Sequence, residues 1–179
     1  NGPRGEKFDF VWIGGGFNPE KGYDYSVFLE DQIARSGLNG RLRILPPTRT
    51  IEAAYDCADV LLLPSRLDPL PNVTIDALCT GLPVVCFDRA TGIAPILQQG
   101  WLGDTCVASY LDPGDMSAKI LALASDPALH QATRSRSVEI AGKTFDFAAY
   151  AAKIALLSGA TPRLEGHALA AVADGTTGT

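Results

Sequence analysis

Apolar and polar positions alternate along this chain in blocks of two kinds. Short, mostly apolar runs occur at Phe8 to Ile13, Leu42 to Leu45, Asp59 to Leu63 and Pro83 to Phe87. Each reads as a strand buried in a parallel sheet. Between and after them come longer stretches with apolar residues three and four apart. These predict helices over Tyr25 to Ser36, Ile51 to Cys57, Pro71 to Thr80, Met116 to Ser125, Ala128 to Ala141 and Phe147 to Leu157. A loop and short helix run from Thr91 to Leu97, and Thr105 to Ala108 reads as a fifth, edge strand. The breaks fall at turn residues: Gly14-Gly-Gly16, Gly37, Pro46-Pro47, Gly81 and Pro127. Val27, Phe28, Ile33 and Ala34 share one face of the first helix, and Thr50 stands where a cap of the second belongs. The alternation predicts an α/β domain: a doubly wound parallel sheet of about five strands, with helices on both faces. That domain covers residues 1–157. From Ser158 the chain turns to Gly, Thr, Ala and Pro without periodicity, and 158–179 reads as a flexible tail or linker.

Composition narrows the classes. At 179 residues and 46% hydrophobic, the chain can bury a full core. The net charge of −5, with no dense Lys/Arg cluster, argues against a nucleic-acid partner. No run approaches the roughly 20 apolar residues of a membrane-spanning helix, and no signal peptide opens the chain. Cys57, Cys79, Cys86 and Cys106 lie singly in apolar segments at spacings that match no zinc pattern, so they read as buried reduced thiols of a cytoplasmic protein. With His130 and His167 in plain surroundings, no metal centre is expected.

The chemistry concentrates in Asp68-Pro-Leu-Pro-Asn-Val-Thr-Ile-Asp76. A strand leads into it, and a helix starts within it. Pro71 suits a first helical turn. The N–H groups of Asn72, Val73 and Thr74 then point at an anion, aided by the helix dipole, and a diphosphate fits there. Asp76 can accept two hydrogen bonds from a ribose diol, and Asp68 can face sugar hydroxyls. On spacing alone a second reading stands beside this one: Asp68 caps a turn and Asp76 is a solvated helix acid. The Gly14-Gly-Gly16 triplet is not a dinucleotide fingerprint, because Phe17 to Gly22 separates it from the next helix.

The segment resembles the donor-binding signature of retaining glycosyltransferases of the GT-B fold, in particular family 4 (glycosyl transferases group 1). There an acid, seven residues and a second acid recur, often as Glu-Gly-Phe-Pro-Asn-Val-x-x-Glu-Ala-x-x-x-Gly-x-Pro-Val-Val. Here Ala77, Gly81 and Pro83-Val-Val85 complete the match. Tyr55-Asp-Cys-Ala-Asp-Val-Leu-Leu-Leu-Pro-Ser65, Phe10-Val-Trp-Ile-Gly-Gly-Gly16, Thr91-Gly-Ile-Ala94 and Phe145 to Leu157 resemble the flanking family segments in the expected order. The resemblance implies the Rossmann-like C-terminal half of a GT-B fold. It implies that Asp68 contacts the transferred sugar as the catalytic acid of the motif and that Asp76 holds the nucleoside ribose. It further implies that the N–H groups of Asn72 and Val73 hold the diphosphate, and that Gly14 and Gly15 line the cleft. Leu45 and Pro46 then lie beside the base, and Thr91 and Gly92 face the donor sugar. The implied substrate is a nucleotide diphosphate sugar, with no cofactor or metal. The implied partner is an N-terminal acceptor domain of the same chain, through which peripheral membrane contact would come. That domain and the family's first strand are expected upstream. The implied activity is hexosyl transfer with retention in cell-surface polysaccharide synthesis, with the fragment alone inactive.

This chain departs from the pattern. Both motif acids are Asp where Glu is usual, Pro69-Leu70 replaces the usual pair, and Pro95 stands where the Gly-Gly-Ile-Pro-Glu loop ends in an acid. Two alternatives therefore stay open: a GT-B-like domain that lost its donor site, and a nucleotide-sugar epimerase of the same fold.

Overall fold

The computed structural model describes residues 8–21 and 25–158. In chain order the elements are β1 (Phe10–Ile13), a 3-10 turn (Pro19–Lys21), α1 (Ser26–Arg35), β2 (Leu42–Leu45), α2 (Ile51–Cys57), β3 (Leu61–Leu63) and α3 (Asn72–Thr80). There follow β4 (Val84–Phe87), α4 (Ala94–Leu97), α5 (Leu102–Cys106), β5 (Val107–Ala108), α6 (Pro113–Ser125), α7 (Pro127–Thr144) and α8 (Phe147–Leu157). Every strand pairing among the described residues is parallel, as the α/β pattern predicts. The expected single sheet, however, is two. β1 pairs with β2, and β3, β4 and β5 form a second sheet in that order.

β4 shows why helices cover both faces. All four of its residues are buried. Side chains alternate across a strand, and they do so here into two separate cores. Val84 and Cys86 join Tyr55, Leu78, Leu97, Leu102 and Ile140 on one side. Val85 and Phe87 join Ala108, Met116 and Leu123 on the other. Each fully buried Leu, such as Leu78 or Leu123, contributes about 1.5–3 kcal/mol relative to exposure.

The helix boundaries follow local chemistry. Asp112, Asp126 and Asp146 cap α6, α7 and α8, each carboxylate accepting first-turn N–H groups. α3 ends at Gly81, whose φ of 77° is left-handed and whose N–H reaches back to the Ala77 and Leu78 carbonyls. Gly81→Ala is expected to cost about 1–2 kcal/mol for the left-handed backbone, read as a lowered midpoint in urea unfolding. A Cβ there would also stand 3.2 Å from the Val138 side chain.

Several expectations are corrected. The fifth strand does not begin at Thr105: residues through Cys106 are helical, and β5 is only Val107–Ala108. Thr50 does not cap α2. Its own N–H instead donates to the Thr48 hydroxyl at 3.1 Å, a local turn that competes with capping. The face of α1 is not covered: Val27, Phe28 and Ala34 are exposed and Ile33 is half-buried. The tail beyond Ser158 and His167 lie outside the described residues.

Only Cys86 and Cys106 are buried; Cys57 and Cys79 are exposed. Cys79 follows buried Ala77 and Leu78 onto the outer side of α3, and Cys57 is the last residue of α2. Burial, with Asp88 adding to it, pushes the Cys86 thiol up to about 12. Burial likewise pushes Cys106 up to about 12. Thiolate is the reacting form, so iodoacetamide at pH 8 is expected to modify Cys57 and Cys79 rapidly. Cys86 and Cys106 should react only on unfolding, as read by intact-mass spectrometry.

Candidate functional site

The loop after β3 carries Asp68, and the loop after β4 carries Thr91 and Gly92. The structure ties the two loops together. Asp68 and Thr91 form an isolated parallel bridge. The Asp68 N–H donates to the Ala90 carbonyl at 2.8 Å, and the Gly92 N–H donates to the Asp68 carbonyl at 3.2 Å. The approach is so close that a Cβ on Gly92 would lie 1.8 Å from the Pro69 carbonyl oxygen. Only glycine fits there. Thr91 is buried, and its hydroxyl accepts from the Ile93 N–H at 3.5 Å. The Asp68 side chain is half-buried.

Three residues after Asp68 the backbone turns at Pro71 into α3. Pro71 is the extended residue before the helix, not a residue of its first turn, and no side chain caps this end. Helix geometry leaves the first N–H groups without an acceptor inside the helix. Asn72 and Val73 are exposed and supply two of them. Thr74 does not supply a third. Its N–H donates to the Pro71 carbonyl at 3.0 Å, its hydroxyl donates to the same oxygen at 2.7 Å, and the residue is fully buried. The β-hydroxyl allows this second bond, and it turns Thr74 into an internal brace for the turn.

Asp76 is exposed on α3. α2 packs against α3, and its Tyr55 lies within reach of that charge: burial first, then Asp76, then Glu52, raise the Tyr55 phenol. Neither Asp68 nor Asp76 has a side-chain hydrogen bond or ion pair among the described residues. Two carboxylates and two N–H donors thus stand open near one helix start, an arrangement able to bind an anion and a diol together.

Gly14, Gly15, Leu45 and Pro46 lie at the carboxyl end of the other sheet. There the Gly14 N–H donates to the Leu45 carbonyl at 3.0 Å, and Gly15 faces Pro47. Among the described residues, no hydrogen bond links this group to Asp68, Thr91 or Gly92. The structure therefore assembles the Asp68–Asp76 group around Thr91 and Gly92 and leaves the β1–β2 group as a separate ledge.

The family model described as "Glycosyl transferases group 1" matches residues 3–126. The chain belongs to the group 1 glycosyltransferases. It is 30% identical over 122 residues to a D-inositol 3-phosphate glycosyltransferase of Mycolicibacterium vanbaalenii, covering 66% of this chain and 26% of that protein. It is 27% identical over 71 residues to an uncharacterized glycosyltransferase of Haemophilus influenzae, covering 40% of this chain and 20% of that one. The chain thus spans about a quarter or less of the curated relatives it matches. Among solved structures, Anabaena HepE in complex with UDP and glucose superposes with a TM-score of 0.73 at 21% identity, over 86% of this chain and 40% of HepE. WaaG, a glycosyltransferase involved in lipopolysaccharide biosynthesis, superposes with a TM-score of 0.65 at 18% identity, over 83% of this chain and 37% of WaaG. These likenesses show that the fold is that of GT-B glycosyltransferase domains.

Two features of this glycosyltransferase domain have no signal in its sequence. Arg89, in the loop that carries Thr91, adopts a left-handed φ of 56° and lays its guanidinium 5.1 Å from the Tyr110 ring centre. A separate open hollow of about 430 Å³ is lined by Asp88, Gln98, Gly100, Gly103, Asp104 and the β5 end. It includes none of the predicted site residues.

Proposed function

We propose that this chain is the donor-binding domain of a glycosyltransferase that moves a sugar from a nucleotide diphosphate sugar to an acceptor with retention. The Asp68–Thr91 bridge carries the reading. It fixes the first motif acid and the Gly92 loop against each other, close to the open start of α3. Asp76 holds the ribose diol, the Asn72 and Val73 N–H groups hold the diphosphate, and Asp68 contacts the transferred sugar. The departing diphosphate is stabilised by helix N–H groups and the helix dipole, preorganised where charge develops, so the chemistry needs no metal. Gly14, Gly15, Leu45 and Pro46 complete the nucleotide side of the cleft. An N-terminal domain of the same protein supplies the acceptor site and any contact with the membrane, so the chain by itself turns over nothing. The HepE complex with UDP supports a nucleotide diphosphate sugar as donor, and the WaaG role in lipopolysaccharide biosynthesis supports a part in surface polysaccharide assembly.

Calorimetric titration with UDP, GDP and their sugars tests this. Saturable binding of one nucleotide is expected, stronger for the diphosphate than for the nucleoside and unchanged by EDTA. A loss of binding in EDTA would sink the metal-free part. If no nucleotide binds even to a polypeptide continued N-terminally, the reading gives way to a domain that lost its site. Pro95, in place of the loop acid, favours that alternative.

A further inference from the structure

The open hollow of about 430 Å³ beside the β5 end falls within the roughly 300–1,000 Å³ of small-ligand pockets. Its lining is not the mostly apolar kind. Asp88, Gln98, Asp104 and Ser109 supply polar side chains, and Gly100 and Gly103 leave the wall between them without any.

What these groups have left to offer is of one kind. The Gln98 Nε2 donates to Asp88 Oδ1 at 3.0 Å, which leaves the Gln98 side-chain carbonyl as an acceptor. The Ser109 hydroxyl donates to Asp115 Oδ2 at 2.8 Å, so only its lone pairs remain. The Asp104 carboxylate has no hydrogen bond or ion pair among the described residues, and it can only accept. A wall of acceptors calls for a ligand rich in donors.

Charge narrows the class. No cation lines the hollow, and those around it are engaged. Arg89 pairs with Asp88 at 3.3 Å and lies over Tyr110. Lys119 donates to the Asp104 carbonyl at 2.8 Å and pairs with Asp115 at 3.6 Å. Arg136 pairs with Glu139 at 2.6 Å. A phosphate entering here would meet only carboxylates. A metal ion is poorly served too, because Asp88 already shares its charge with Arg89. Among the described residues no group of three His, Cys, Asp or Glu could hold one.

A neutral saccharide meets these terms. Its hydroxyls donate, and its ring has an apolar C–H face that rests on aromatic surface. Trp101, between Gly100 and buried Leu102, is 43% exposed, and Tyr110, next to Ser109, is 44% exposed. Backbone strain frames the place. Arg89 and Leu111 are the non-glycine residues with left-handed φ among the described residues, at 56° and 54°, and such outliers concentrate at ligand sites. We propose that this hollow is a saccharide subsite, taking neutral sugar units that carry no nucleotide, separate from the Asp68–Asp76 group. Asp88 and Thr91 share the loop after β4, so the bound units belong to a glycan that reaches the proposed donor cleft. That role, unlike the binding itself, rests on the proposed function.

NMR titration of the 179-residue chain tests it, with a panel of neutral disaccharides (cellobiose, maltose, lactose and N,N′-diacetylchitobiose) beside UDP and calcium chloride. At least one disaccharide is expected to shift the Gly100, Gly103 and Ser109 amides and the Trp101 indole N–H, with a dissociation constant on the order of 1 mM. The Asn72 and Val73 amides should stay still. Asp104→Ala should weaken this binding about tenfold and melt like the parent, since its carboxylate has no partner to lose. If no disaccharide shifts the hollow at about tenfold that concentration, the proposal is overturned. It also fails if the shifts fall only at Asp68 and Thr91, or if Asp104→Ala binds like the parent. Shifts of the hollow by calcium or UDP but by no disaccharide would give it to a cation or to the donor and overturn it as well. Disaccharide binding here with no response to UDP would count against the proposed nucleotide site and leave this one standing.

Discussion

Gly92→Ala is expected to abolish nucleotide binding and to lower stability by about 3 kcal/mol, the upper range for overpacking. The cause is local. An added Cβ would stand 1.8 Å from the Pro69 carbonyl oxygen, and that contact is with backbone, which cannot rotate away. One loop must move, and either movement breaks the Asp68–Ala90 and Gly92–Asp68 hydrogen bonds that register the two loops. For a domain of this size each kcal/mol moves the melting midpoint by about 2–4 °C, so a fall of roughly 6–12 °C is expected by calorimetry. Neighbouring Thr91→Ser keeps the bridge and the hydroxyl and loses only one buried methyl, about 1 kcal/mol, so it should melt only about 2–4 °C below the parent and still bind. A Gly92→Ala protein that melts and binds like the parent would show that the two loops are not locked.

Asp76→Ala is expected to do the reverse: a large loss of affinity at unchanged stability. The carboxylate is exposed and has no ion pair or side-chain hydrogen bond among the described residues, so its removal leaves no buried group unsatisfied and should cost under about 0.5 kcal/mol of folding. Under the proposed function it accepts hydrogen bonds from a ribose diol. Bonds to a charged group are worth about 1.5–3 kcal/mol, so nucleotide affinity should drop about 10–100-fold. Pyrophosphate affinity should be unchanged, because the α3 N–H groups are untouched. Equal loss for nucleotide and pyrophosphate would remove Asp76 from the ribose and make its effect one on the shape of the α3 start, because deleting a negative charge by itself favours an anion. The contrast with Gly92→Ala separates an acid that touches ligand from a glycine that holds the site in shape.

Hydrophobic period and turn residues alone determined the strand–helix alternation, the parallel α/β class, the stop at Gly81 and the helix start beside Asp68. These are local properties: a two- or 3.6-residue period, a left-handed glycine, a proline without N–H. The resemblance carried by Asp68 to Val85 pointed to a group 1 glycosyltransferase, and that much the match over residues 3–126 bears out. Tertiary structure decided what depends on distant neighbours. Thr74 looked like an anion donor by position, yet its N–H and hydroxyl are both taken by the Pro71 carbonyl. Cys57 and Cys79 lie in apolar runs, yet they fall on outer helix faces, because a run's mean apolarity does not say which side meets the core. The sheet reads as one object along the chain but is two in space, because a strand's own sequence specifies its pairing edge without supplying the neighbour. The lock between Pro69 and Gly92 joins residues from two loops, and no periodicity within either could announce it. The chain's local patterns specify elements and their order. Contacts between residues far apart in sequence fix which groups stay open for a ligand, because an N–H or carboxylate is available only if nothing folded beside it has already claimed it.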